Sequence, residues 1–152
     1  MSSIWVYPGQ GAQKVNMLHD LPQTVLVRQY LEQAADILKQ DVGLLDQPEA
    51  LKSTYAVQLC LFISGVVSSS LMSEQGVQPD YVAGLSIGAW AAATVAGVMS
   101  FEDGLKLVSI RGRLMQEAYP SGYGMTALIG THQSEVEAWI EPIYQQNRDV
   151  FI

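Results

Sequence analysis

Only one cysteine, Cys60, occurs in the 152 residues, so no disulfide can close within the chain. That fits a reducing compartment. Cys60 lies in an apolar helical run, where a packed core thiol is the ordinary role and a reactive one the exception. Charge is scarce as well: 15% of residues are charged and the net charge is −7. No basic stripe exists, which removes the electrostatic footprint of a nucleic-acid binder. The segment Met1 to Tyr7 lacks the basic start and apolar core of a signal peptide. Nor is there an unbroken apolar run of membrane length. Tyr55 to Met72 comes nearest, but Gln58, Ser64, Gly65 and Ser68 to Ser70 interrupt it, and it reads as a buried core helix. These absences predict a cytoplasmic protein that engages neither nucleic acid nor membrane.

What is abundant is apolar surface. Hydrophobic residues make up 49% of the chain, and its length is enough for one domain with a real core. A strand is predicted at Ile4 to Tyr7, ending at Pro8-Gly9. Helices are predicted from Pro22 to about Lys39 and, after Pro48, through the apolar segment to Met72. A short strand, Tyr81 to Ala83, precedes an alanine-rich helix from Ala89 to Val98. Ser100 and Asp103 form a capping-box-like start for a helix reaching about Ala118. Beyond the break at Pro120 to Gly124, a strand (Met125 to Ile129) and a helix (Gln133 to Gln146) follow, and Asp149 to Ile152 reads as the start of one more strand. No internal repeat is present. Strands alternating with helices predict an α/β fold with a mainly parallel sheet.

The most informative stretch is Gly84-Leu85-Ser86-Ile87-Gly88, between the second strand and the alanine-rich helix. A serine at so tight a strand-to-helix corner needs glycines two residues either side. The corner raises the Ser86 hydroxyl above the sheet, beside the free N–H groups of a helix start, where a developing oxyanion is stabilised. That is the arrangement of an acyl-transfer nucleophile.

Arg111 is the next. Leu107, Val108, Leu114 and Met115 are its helical neighbours, so it lies within the apolar face, whereas Arg113 beside Ser109, Gln116 and Glu117 faces solvent. An inward guanidinium must be paired, either by a protein carboxylate or by a substrate carboxylate. Gln10, flanked by Gly9 and Gly11 after the first strand, falls at the same sheet edge as Ser86. It either positions an oxyanion hole or closes its own turn. Gln58, on an almost wholly apolar helix, is a core hydrogen-bonding group or a pocket residue. The two histidines, His19 and His132, have surface or capping contexts, so the chain has a nucleophile and no convincing base.

Taken together, Pro8-Gly9-Gln10-Gly11-Ala12-Gln13, Gly84 to Gly88 and Ile110-Arg111-Gly112-Arg113-Leu114-Met115-Gln116 resemble the malonyl-CoA:acyl-carrier-protein transacylase family in order and spacing. Gly124 to Gly130 resembles the first strand of that family's small ferredoxin-like subdomain. The resemblance implies an α/β-hydrolase-like large subdomain over 1–121 and the beginning of the small one over 122–152. It implies that Ser86 carries malonate as an ester, that the N–H groups of Gln10 and Ile87 form the oxyanion hole, and that Arg111 binds the malonyl carboxylate. No permanent cofactor or metal is implied; malonyl-CoA is the donor and a phosphopantetheine-type thiol on a carrier protein the acceptor. The family's usual elbow has His before the serine and Glu after the second glycine. Leu85 and Ala89 stand there, a version similar to the malonyl-transfer (epsilon) subunit of malonate decarboxylase, whose acceptor sits on that complex's own carrier subunit. The alternative acceptor is a fatty-acid or polyketide acyl carrier protein. The family takes its catalytic histidine from a later segment, so the chain is expected to be the first half of a family domain, weak or inactive alone, and to self-associate through uncovered apolar faces. The competing readings are a serine esterase or thioesterase of α/β-hydrolase type, and a non-catalytic fragment that binds a carrier protein or complex subunit.

Overall fold

Strand and helix alternate in the computed structural model, which describes residues 2–118, 122, 124, 126 and 128–146. The chain divides into two units, Met1–Pro120 and Ser121–Ile152. The first unit contains β1 (Ile4–Tyr7), α1 (Val25–Leu38), α2 (Thr54–Glu74), β2 (Tyr81–Gly84), α3 (Gly88–Val95) and α4 (Phe101–Ala118). The second contains α5 (Gln133–Gln146). The fold is α/β, with β1 and β2 paired in parallel from Ile4 opposite Tyr81 to Tyr7 opposite Gly84.

Local chemistry sets the helix ends. The hydroxyls of Thr24 and Ser53 accept from the N–H groups of Val27 and Ala56, which are otherwise orphan donors in the first turns of α1 and α2. Ser100 does the same for Asp103 at 3.0 Å, and its hydroxyl donates to the Asp103 carboxylate at 2.7 Å, so the expected cap is present. At the C-terminus of α2, the N–H of Val77 reaches back to the carbonyl of Met72, with Gly76 left-handed between them.

α2 is apolar on almost every side and is correspondingly the centre of the first unit. It is long and apolar enough to cross a membrane by length and composition, yet most of it is buried within this unit. Leu59, Phe62, Ile63 and Val67 are fully enclosed, together with Leu105 and Val108 from α4. Phe62 stacks on Phe101, ring centroids 5.7 Å apart, and Tyr30 meets Phe101 edge-on at 4.9 Å. Truncating Phe62 to alanine costs about 3–5 kcal/mol by loss of transfer energy and an unfilled cavity.

The sheet has one covered face. Tyr7 points into the core, where its hydroxyl donates to Ser69 at 2.6 Å and Ser69 donates on to the Gly65 carbonyl at 2.8 Å. Ile4, Val6 and Tyr81 are exposed on alternate positions. In the second unit the described residues between Gly122 and Ile129 form no strand. Met125 and Ala127 of the expected strand, and all of Asp149 to Ile152, lie outside the described residues.

Candidate functional site

The first unit's sheet delivers the site. β2 ends at Gly84, and the chain turns sharply through Ser86, whose φ of 51° is left-handed. A non-glycine residue holds that conformation at a cost of about 1–3 kcal/mol, tolerated only where the surroundings enforce it. They do so by crowding. A side-chain carbon added at Gly84 would lie 2.1 Å from the carbonyl of Gly88, and one added at Gly88 would lie 2.3 Å from the carbonyl oxygen of Tyr7. Both elbow glycines are therefore sterically required. The N–H of Leu85 continues the ladder to the Tyr7 carbonyl at 3.0 Å, which fixes the corner to the end of β1.

Ser86 is exposed, and its hydroxyl oxygen accepts from Arg111 Nη2 at 3.0 Å. Nη1 of the same guanidinium donates to Gln58 Oε1 at 2.5 Å. Because arginine only donates, Gln58 must present its oxygen, and its Nε2 turns to the Met115 thioether at 3.2 Å. Gln58 is fully buried, a core amide whose oxygen accepts from Arg111.

Arg111 itself departs from expectation. It is half-buried, not interior, because only Val108 of its four apolar neighbours is enclosed; Leu107, Leu114 and Met115 are 43%, 60% and 41% exposed. The apolar stripe of α4 is wider than the face the first unit covers. Among the described residues the ion pairs are His19–Asp46, Lys52–Glu49 and Lys106–Glu102, and Arg111 belongs to none of them. Among the described residues its guanidinium is met by the neutral oxygens of Gln58 and Ser86.

The oxyanion candidates sit at the same edge. The N–H groups of Gly88, Ala89 and Trp90 are taken by the carbonyls of Leu85, Ser86 and Ile87. Neither Ile87 nor Gln10 donates to a backbone carbonyl among the described turn and loop bonds. Gly9 lies against Leu85, where an added carbon would meet its side chain and carbonyl at 3.3 Å, so the loop carrying Gln10 abuts the elbow. The Gln10 side chain reaches Thr54 at the start of α2, at 3.5 Å.

The histidines are engaged elsewhere. His19 Nδ1 lies 2.8 Å from the Asp46 carboxylate, which also accepts from the N–H groups of Leu18 and His19. Burial pushes the Asp46 carboxyl up, but these hydrogen bonds outweigh it and hold the group below its ordinary value. His132 precedes α5, and its N–H donates to the Glu135 carboxylate at 3.0 Å. Cys60 is enclosed, and burial pushes its thiol up to about 12, so it is no nucleophile at neutral pH. Among the described residues no group of three metal-ligating side chains occurs.

One participant escaped the sequence reading: Met115, named only as an apolar neighbour of Arg111, accepts from Gln58, and the α2–α4 crossing brings the two together.

The chain is similar to known proteins in sequence and fold. Residues 4–147 match the acyl transferase domain family. The malonyl CoA-acyl carrier protein transacylase of Synechocystis sp. is 38% identical over 139 residues, covering 90% of this chain and 47% of that protein. The Haemophilus influenzae protein of the same name is 41% identical over 132 residues, covering 82% and 42% respectively. The crystal structure of the Synechocystis transacylase superposes with a TM-score of 0.81 over 91% of this chain and 47% of that one. A malonyl-transacylase in complex with its type II polyketide acyl-carrier protein superposes with a TM-score of 0.84 at 34% identity, over 96% of this chain and 49% of that one. The chain thus spans about half the length of the relatives it matches.

Proposed function

Because this chain belongs to the acyl transferase domain family, we propose that it carries the nucleophile and the carboxylate clamp of a malonyl transferase. Ser86 Oγ attacks the thioester carbonyl of malonyl-CoA. The C–O bond forms as the carbonyl π pair moves onto oxygen. Collapse of that tetrahedral oxyanion breaks the C–S bond, coenzyme A leaves with the proton that the serine gave up, and a malonyl ester remains. A carrier-protein thiol then attacks the ester, takes the malonyl group and returns a proton to Ser86. The N–H groups of Ile87 and Gln10 stabilise the oxyanion of each tetrahedral intermediate. The resemblance assigns the proton transfers to a histidine.

Arg111 acts twice. Before acylation its N–H donates to the serine oxygen and favours its anionic form. After acylation that oxygen belongs to an ester and accepts poorly, so the guanidinium turns to the malonyl carboxylate. Each terminal nitrogen has two protons, and Gln58 occupies only one, so the fork remains able to bind a carboxylate through both nitrogens. An acyl group without a carboxylate forgoes this bidentate charged pair, which is the basis of selectivity.

The observation that carries this reading is the 3.0 Å contact between Ser86 and an arginine that has no carboxylate partner among the described residues. A serine esterase has no use for such a cation. Leu85 and Ala89 support an acceptor thiol on the carrier subunit of a malonate decarboxylase; a fatty-acid or polyketide carrier protein is the alternative. Incubation with malonyl-CoA or acetyl-CoA followed by intact-mass and peptide analysis tests the assignment. A malonyl adduct confined to Ser86, absent from Ser86→Ala, supports it; release of free acid with no preference for malonyl-CoA indicates the esterase instead.

A further inference from the structure

α4 must be held at one axial position along α2 for Arg111 to meet Ser86, and several polar ties share the holding. Gln58 donates to Met115 at 3.2 Å, and the Tyr55 and Ser109 hydroxyls lie 3.4 Å apart. Two more ties involve Arg111 and Gln116. One is the Arg111–Gln58 bond already described. The other lies just over a turn further along α4, where Gln116 Oε1 accepts from the Ser53 hydroxyl and, at 3.2 Å, from the N–H of Tyr55. Ser53 is the N-cap of α2, and its oxygen accepts from Ala56 at 3.4 Å, so its proton is free to go to Gln116. Tyr55 N–H is one of the first-turn donors that the helix cannot satisfy itself. A side chain of α4 therefore completes the cap of α2. Between the two ties, Gly112 lies directly on Tyr55, where an added carbon would come within 3.1 Å of the Tyr55 Cα.

We propose that Gln116 is a positioning residue: by capping α2 from α4 it sets the register that places the Arg111 guanidinium at Ser86, and so sets selectivity for carboxylate-bearing acyl groups. The helix rises about 1.5 Å per residue, so a shift of one residue moves the guanidinium out of hydrogen-bond reach of the serine. The Gly112–Tyr55 contact brings the helices close, and the directional bonds of Gln116 and Arg111 add to that packing, and to the Met115 and Ser109 contacts, in fixing the register. Gln116 touches neither the serine nor the acyl group. This inference rests on the reading of Arg111 as the carboxylate clamp.

The test measures dissociation constants for malonyl-CoA and acetyl-CoA by calorimetry on the full chain, in wild type, Arg111→Ala, Gln116→Ala and Gln116→Glu. Gln116→Ala is expected to lower the preference for malonyl-CoA about tenfold with acetyl-CoA affinity unchanged, since sub-ångström placement governs such contacts. Gln116→Glu keeps an acceptor oxygen at the helix start and restores the preference. Equal weakening towards both ligands marks a merely structural role and overturns the inference. If Arg111→Ala erases the preference and Gln116→Ala keeps it, the inference fails while the clamp stands. No preference in the wild type defeats the clamp and the inference with it. Should Gln116→Ala not fold, Ser53→Ala removes one of the two bonds and is expected to lower the preference about threefold; full retention overturns the inference.

Discussion

Arg111 and Ser86 come from different elements 25 positions apart in the chain, and Nη2 of the one donates to Oγ of the other at 3.0 Å. Neither residue reaches this position cheaply. Ser86 is left-handed at a corner closed by two glycines, and Arg111 is held by a buried amide on a third element. The arrangement places a fixed positive charge at the Ser86 hydroxyl oxygen.

The corner is the least forgiving part. Gly84→Ala brings a methyl group onto the backbone of Gly88 at a distance no packing rearrangement absorbs. A loss of about 3 kcal/mol or more is expected in urea unfolding, together with loss of any Ser86 adduct. An unchanged midpoint contradicts the described turn.

Capping and the elbow were legible because their causes are local. Ser100 and Asp103 are three residues apart, and a glycine on each side of Ser86 specifies a turn wherever the rest of the chain goes. The length of α2 was legible from its apolar run. The burial of Arg111 was not, because periodicity shows which residues share a face but not how much of that face a neighbour covers; Leu114 and Met115 belong to the stripe and remain exposed. Gln58 stood out as a lone amide on an apolar helix, yet its partner depends on how α2 crosses α4. The Asp46–His19 pair joins two loops 27 residues apart and has no periodic signature.

Asp46 makes stability fall on the acid side. Its folded pKa lies below the ordinary value of 3.8, since the hydrogen bonds from His19 and the backbone outweigh burial. The stabilisation is therefore whole above the unfolded value and is lost as pH falls through the folded one. Asp46→Asn is expected to lower stability near neutrality by about 1–3 kcal/mol and to flatten the acid limb of the unfolding profile. An acid limb identical to that of the wild type contradicts this account.

Val6 is 71% exposed on the face of the sheet that no helix of the first unit covers, beside Ile4 and Tyr81. Parallel sheets are ordinarily buried on both faces. We propose that the chain self-associates through this face. Light scattering is expected to show a concentration-dependent mass that Val6→Lys returns to that of a monomer; a wild-type monomer at all concentrations removes the proposal.

The central claim is that the Arg111 guanidinium recognises the free carboxylate of the acyl group held at Ser86. The most direct measurement is the ratio of malonyl-CoA to acetyl-CoA affinity in wild type against Arg111→Ala and Arg111→Lys. A wild-type preference that falls by about a hundredfold in Arg111→Ala, and is not rescued by the point charge of lysine, is the expected result. The same ratio in all three proteins contradicts the account.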